Sequence, residues 1–356
     1  MACLTILRPG ARTLLQDLGF QGGRAMGIPP GGVMDRAALA LLNALLGNSP
    51  GAEALEVTLT APVLLADEGD VRIALSGTLS GLVRAPDGRT RALPPWTATT
   101  LPEGHQIEIA APSTGPYGLI GIAGGIAVPR RLGSRSTCLP ARLGGLDGRA
   151  LATGDRLSVA NAPPGLPDRR VPPPAVTDGP IRLVPGPQTE WFAGAGLATL
   201  CAAPYRVSPQ CDRMGMRLEG ATLPFAPGYR ADILSDGIVP GAIQVPGTGQ
   251  PIILLADAQT TGGYAKIATV IGADLPRLSR LGPGDALRFA LVTVAEAEAI
   301  AQDAQRTLAD SIARIEEVGG LHTLTSANLI GGVVDMQRPD HFDGHLFAAD
   351  RKAEGT

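Results

Sequence analysis

The 356-residue chain carries 30 basic and 33 acidic side chains, so its formal charge of −3 offers no cationic footprint for nucleic acid. No run of about 18 apolar residues occurs, and the opening MACLTILRPG lacks a signal-peptide core, so a soluble, cytoplasmic protein with no membrane contact is expected. Its 47 glycines and 32 prolines fall between Val, Ile, Leu and Thr runs, as turns do in a mainly β protein, and the length suits two domains.

Residues 1–160 read as a first β-rich domain with one helix and an Arg/Gly-rich insertion. TLLQDLGFQGGRAMGIPPGG (13–32) sets Gln16, Asp17 and Arg24 among glycines without forming a phosphate-binding loop. The helix is expected within GVMDRAALALLNALLGN (32–48). Leu39, Leu42 and Leu46 form its apolar stripe, Asp35 is an early cap, and Gly47-Asn48 marks the stop. Asn43 lies on that stripe, so its amide either bonds neighbouring backbone or faces a pocket. The insertion RRLGSRSTCLPARLGGLDGRA (130–150) places Arg135 among hydroxyls, which fits a solvated loop or a reader of carboxylate or phosphate.

NAPPGLPDRRVPPPAVTDGP (161–180) is a proline-rich linker, expected to be an extended spacer. Residues 181–294 read as a second β-rich domain, and 295–356 as a helix and C-terminal tail. The helical spacing covers TVAEAEAIAQDAQRTLADSIARIEEV (293–318), and SANLIGGVVDM (326–336) is apolar enough to dock. In the second domain, Asp212 with Arg213 or Arg217 reads as an ion pair.

The two β-rich segments share an order of features that indicates an internal duplication. ALEVTLTAPVLL (54–65) aligns with RLEGATLPF (217–225), each with an early Leu-Glu. A Gly-rich polar turn with Tyr117 or Tyr264 follows, then a Gly154-Asp155 or Gly284-Asp285 hairpin turn. Four scattered cysteines without a C-x-x-C pair suggest neither a disulfide framework nor a metal site.

DAQTTGGYAKIATV (257–270) concentrates polar groups between two apolar runs. Gly262 and Gly263 would free the backbone for positive φ and close approach, and period two would align Tyr264 with Lys266. Two readings fit: a hairpin with a snorkelling lysine, or Gln259, Thr261 and Lys266 as ligands for a carboxylate, carbonyl or phosphate.

These motifs, with GSRST, LGGLDGRAL, CDRMGMRLEG, GAIQVPGTGQPIILLADAQTTGGYAKIATVI and LGPGD, resemble the KipA family from about residue 4 to residue 292. Its members include the C-type subunit of 5-oxoprolinase, and it is also called allophanate hydrolase subunit 2 or the biotin-dependent carboxyltransferase family. The resemblance implies two cyclophilin-like β-barrel domains from an internal duplication, plus a few helices. It implies a KipI-type partner (the B-type subunit) and a LamB/YcsF-type partner (the A-type subunit), with ATP-dependent opening of 5-oxoproline to glutamate. ATP is used by the complex, with no cofactor assigned to this chain. The alternatives are a carboxyltransferase acting on a urea-like amide with a separate biotin carrier, or a KipA-type regulatory binding protein. The chain has no biotinylation Met-Lys-Met and no ATP-grasp signature. Under the enzymatic reading, Asp257 is the candidate base and Lys266 and Tyr264 stabilise charge. Gln259, Thr261, Gly262, Gly263, Asn43, Asp35, Arg135 and Gln244 bind the small-molecule substrate.

Overall fold

A computed structural model describes residues 1–175 and 177–318. The protein is mainly β, with a barrel-like, nearly closed sheet, and no helix among the described residues is long and apolar enough to cross a membrane. The apolar stretch 326–336 lies outside the described residues.

A five-strand walk occurs twice. In the first half the neighbours run Arg156–Val159, Ala2–Arg8, Val63–Asp67, Gln106–Ile109, Gly81–Arg84. In the second they run Ala286–Leu287, Tyr205–Cys211, Gly215–Glu219, Ile252–Leu254, Ala242–Gln244, and both walks visit their strands in the same chain order. The Gly-Asp turns repeat bond for bond. Gly154 donates to Ile6 O (2.8 Å) while Ile6 donates to Asp155 O (2.9 Å), and Gly284 and Val207 do the same with Val207 O and Asp285 O (2.8 and 2.9 Å). In each turn the aspartate side chain accepts from the backbone N–H three residues upstream, Ala152 or Gly282.

One expected equivalence fails. Leu218-Glu219 lies within the repeated walk, but Leu55-Glu56 lies on Ala54–Thr58, which pairs with Arg12–Gln16 and Tyr117–Ile122 in a different sheet. A dipeptide shared by two strands says nothing about which partner each strand finds.

Helix α1 (Arg36–Leu46) forms as its end signals predict. Asp35 accepts from the Ala38 N–H, and Gly47 ends the helix at φ 74°, a left-handed conformation that costs other residues about 1 kcal/mol. Its leucines pack with Ala54, Ala74, Trp96 and Ala98 in a core of their own. The proline-rich stretch is not a free spacer through its middle: Asp168–Arg170, whose N–H groups lie between Pro167 and Pro172, pairs with Thr97–Leu101 and Glu316–Val318. Helix α2 (Gly196–Ala202) and the single turn α3 (Leu275–Leu278) belong to the second half. Helix α4 (Val294–Ala313) begins on a Thr293/Glu296 capping box and packs on α1.

Asp274 is fully buried and takes the Arg182 backbone N–H (2.7 Å) and guanidinium (3.0 and 2.5 Å). Burial raises its carboxyl, but these bonds and Arg277 outweigh burial and leave it below the usual carboxylate range. A depressed folded-state value means stability present at neutral pH and lost as pH falls through the acid range. Asp274→Asn should therefore lower stability at neutral pH and flatten the acid limb of the stability curve, as read by urea unfolding across pH. An acid limb identical to that of the unsubstituted chain would refute this.

Candidate active site

The two halves meet on a buried ion cluster. Asp212 shapes the turn that presents Arg213, accepting from the Met214 and Gly215 N–H groups (2.8 and 3.2 Å). Arg213 then points inward, donating through Nε and Nη2 to both Asp257 oxygens (2.8 Å each) and through Nη2 to Gly32 O (2.7 Å). Its Nη1 meets Glu56 of the first half, whose other oxygen accepts from the Met34 N–H (2.7 Å). Burial alone would lower Arg213, but the two carboxylates hold it above its ordinary value. One guanidinium neutralises only one carboxylate. Burial pushes Glu56 up, with Asp257 adding to it and Arg213 opposing it.

Glu56 forms part of the wall of a cavity of about 420 Å³ between the halves. Asp35, Ser76, Tyr117 and Trp96 from the first half face Arg280 from the second across this space. Asp35 is raised by burial, opposed by its Ala38 bond and by Arg280, whose guanidinium is 3.8 Å away. Burial also pushes the Tyr117 hydroxyl up, with Glu56 adding to it. Trp96 sits at φ 57°, rare for an aromatic residue, and its indole lies where a Cβ on Gly77 would reach within 2.5 Å. Two carboxyls that hold protons more readily than usual, next to a cation in one cleft, form a set suited to proton transfer and anion binding.

The residues expected from sequence divide into three groups. Asp35 lines the cavity. Gln244, Gln259 and Tyr264 line a second, more open hollow of about 460 Å³ with Gln210, Arg217 and Asp212. The remaining residues serve the framework. Asp257 has both oxygens on Arg213, so it is a partner of that cation and not a free base. Lys266 is buried and bonds Asp236 (3.0 Å) while Tyr264 is exposed, because the chain changes sheets at Ala265. Period two therefore does not carry across that point. Thr261 pairs with Gly237 on a two-stranded ribbon. Neither Gly262 nor Gly263 has positive φ. Gly262 is required by close approach, since a Cβ there would collide with Ile238 Cδ1 and lie 2.7 Å from Gln244 Nε2.

Asn43 is engaged by backbone, donating to Ala52 O (2.8 Å) and Pro50 O (3.2 Å) and accepting from Asn48 Nδ2 (3.1 Å). The hydroxyl-rich turn around Arg135 does read a carboxylate, but it is the chain's own. Asp17 accepts from the Ser134 and Ser136 hydroxyls (2.6 Å each) and the Arg135 N–H (2.7 Å), while the Arg135 side chain reaches Val128 O and Glu53. The inward roles of Arg213, Glu56 and Arg280 escaped the sequence reading. The usable signal for Glu56 was a charge inside ALEVT, a strand buried at every position.

This mainly β fold has counterparts among known carboxyltransferase-domain proteins. Residues 26–291 match the family described as carboxyltransferase domain, subdomain A and B. The chain is 37% identical over 305 residues to the C-type subunit of 5-oxoprolinase from Escherichia coli K12, covering 85% of this chain and 96% of that one. It is 35% identical over 294 residues to the Haemophilus influenzae counterpart of the same name, covering 83% and 93%. Its fold is similar to the K. lactis urea amidolyase (TM-score 0.77, 27% identity, 89% of this chain and 20% of that one). It is also similar to TTHA0988 (TM-score 0.71, 33% identity), where the likeness covers 82% of this chain and only 56% of that one. The chain belongs to the family of 5-oxoprolinase C-type subunits, within the carboxyltransferase-domain proteins.

Arg213→Met leaves two buried carboxylates without their cation and should cost about 3–5 kcal/mol of stability in urea unfolding. Glu56→Gln carries the opposite pH signature. A raised folded-state value means a contribution that is present at acid pH and lost as pH rises through it. The stability of the unsubstituted chain relative to Glu56→Gln should therefore decline as pH rises above the ordinary carboxylate range. A relative stability that rises with pH would show that Glu56 is held ionised.

Proposed function

We propose that this chain is the C-type subunit of an ATP-dependent 5-oxoprolinase, and that the cavity between its halves takes the cyclic amide. The observation that carries the reading is the match along 96% of the E. coli C-type subunit, with no large part of that protein missing. The cavity chemistry supports it. 5-Oxoproline presents a carboxylate and a lactam, with a carbonyl beside an N–H. Arg280 suits the carboxylate, while a protonated Asp35 or Glu56 can donate to the lactam oxygen and, once ionised, accept a proton. In the net reaction 5-oxoproline, ATP and water give glutamate, ADP and phosphate. The chain has no phosphate-binding loop, so ATP is assigned to the complex with a KipI-type and a LamB/YcsF-type partner.

A carboxyltransferase acting on a urea-like amide is the second reading, favoured by the family match and by the likeness to urea amidolyase. It needs a separate biotin carrier, so its activity would be sensitive to avidin, whereas the 5-oxoprolinase would not be.

Reconstitution with both partner proteins should release glutamate from 5-oxoproline in the presence of ATP. Arg280→Ala should raise KM for 5-oxoproline about 10- to 100-fold, the effect of losing a charged hydrogen-bond pair. Asp35→Asn keeps a good helix cap and removes the carboxyl, so it should lower kcat while stability holds. No glutamate from any combination of the three proteins, or unchanged kinetics in both variants, would overturn the proposal.

A further inference from the structure

A third cavity, of about 380 Å³, lies at the opposite end of α1 from Asp35, against Leu46. The 11 residues of the helix place the two about 16 Å apart at 1.5 Å per residue. Arg72 and Arg169 both line this third cavity, with Asn161, Leu166 and Glu317. Arg72 is 5% exposed on strand Val71–Leu75, at the seam where Ala123 donates to its carbonyl. Its Nη2 donates to Pro167 O (2.7 Å), and its Nη1 is buried with no hydrogen-bond partner among the described residues. Arg169 uses Nη1 on Leu45 O (3.1 Å), a carbonyl of the last turn of α1.

The nearby carboxylates are already engaged. Asp168 takes Arg91 (3.2 Å) and the Thr99 hydroxyl (2.7 Å), and Glu316 takes Arg170 (2.6 Å). Among the described residues, only the exposed Glu317 stands at the rim. Burial lowers Arg72, and Arg169 lowers it further, against Asp168 and Glu317. A guanidinium out of water with an unmet donor, beside a second guanidinium, is costly unless an anion joins it.

We propose that this cavity is a binding site for the oxyanion group of a small molecule, a carboxylate or a phosphate, held by Arg72 and Arg169. The fork geometry of guanidinium matches either group, and the Asn161 amide adds a neutral donor. Leu46, Pro163 and Leu166 leave room for a short apolar body. This site is separate from the cavity between the halves and does not depend on its reading.

The test is calorimetric titration of the full chain with sodium phosphate and, separately, sodium acetate, at ionic strength fixed by sodium chloride. Saturable binding of either anion with a stoichiometry near one is expected. Phosphate alone marks a phosphoryl ligand, acetate alone a carboxylate, and both a general oxyanion site. Arg169→Gln, at a half-buried position, should weaken binding at least about 10-fold, as should Arg72→Gln where it folds, and Glu317→Gln should tighten it. No saturable binding of either anion would overturn the proposal. So would equal affinity in Arg169→Gln, or a stability loss in Glu317→Gln matching that of Arg72→Gln, which would make Glu317 the resident counter-ion.

Discussion

Arg213 is the interaction on which the rest of the structure depends. It originates in a turn of the second half and ends among Asp257, Gly32 and Glu56, so both halves supply its hydrogen-bond partners. A buried guanidinium of this kind is poor evidence of net stability, because removing three charged groups from water costs as much as their attraction returns. It is strong evidence of register. This docking of the halves satisfies the cation and leaves the cavity beside Glu56.

The site follows from this geometry. The cation is shared unequally: Asp257 holds it with two oxygens and Glu56 with one, and Glu56 faces the cavity. Glu56 is therefore the carboxyl that burial drives toward protonation, while Asp35 reaches the same condition from a helix cap next to Met34, whose N–H bonds Glu56. Arg280 brings positive charge from the second half. Under the proposed function, the acid and base groups come from one copy of the repeat and the anion anchor from the other. A single unduplicated half would lack one of the two.

Features with local causes were legible in the sequence. Asp35 and Gly47 bounded α1, and the Gly-Asp turns marked the duplication, because caps and turns depend on a few neighbouring residues. The site was less legible because its pairs are remote in sequence. Arg213 and Glu56 are 157 positions apart, and beside Asp212 the arginine looked like half of a surface ion pair. The stretch from Asp257 to Val270 misled in a different way. Its polar side chains do share a chain segment, but the change of sheet at Ala265 sends Tyr264 outward and Lys266 inward. The hydroxyls around Arg135 had the chemistry expected of them, with Asp17 as the anion.

The most direct test of the central claim is a crystal structure of the assembled complex with 5-oxoproline bound. The account predicts the ring between Asp35, Glu56 and Tyr117 with its carboxylate on the Arg280 guanidinium. A ring seated instead in the open hollow by Gln244 and Gln259, with the cavity between the halves filled by solvent, would contradict it.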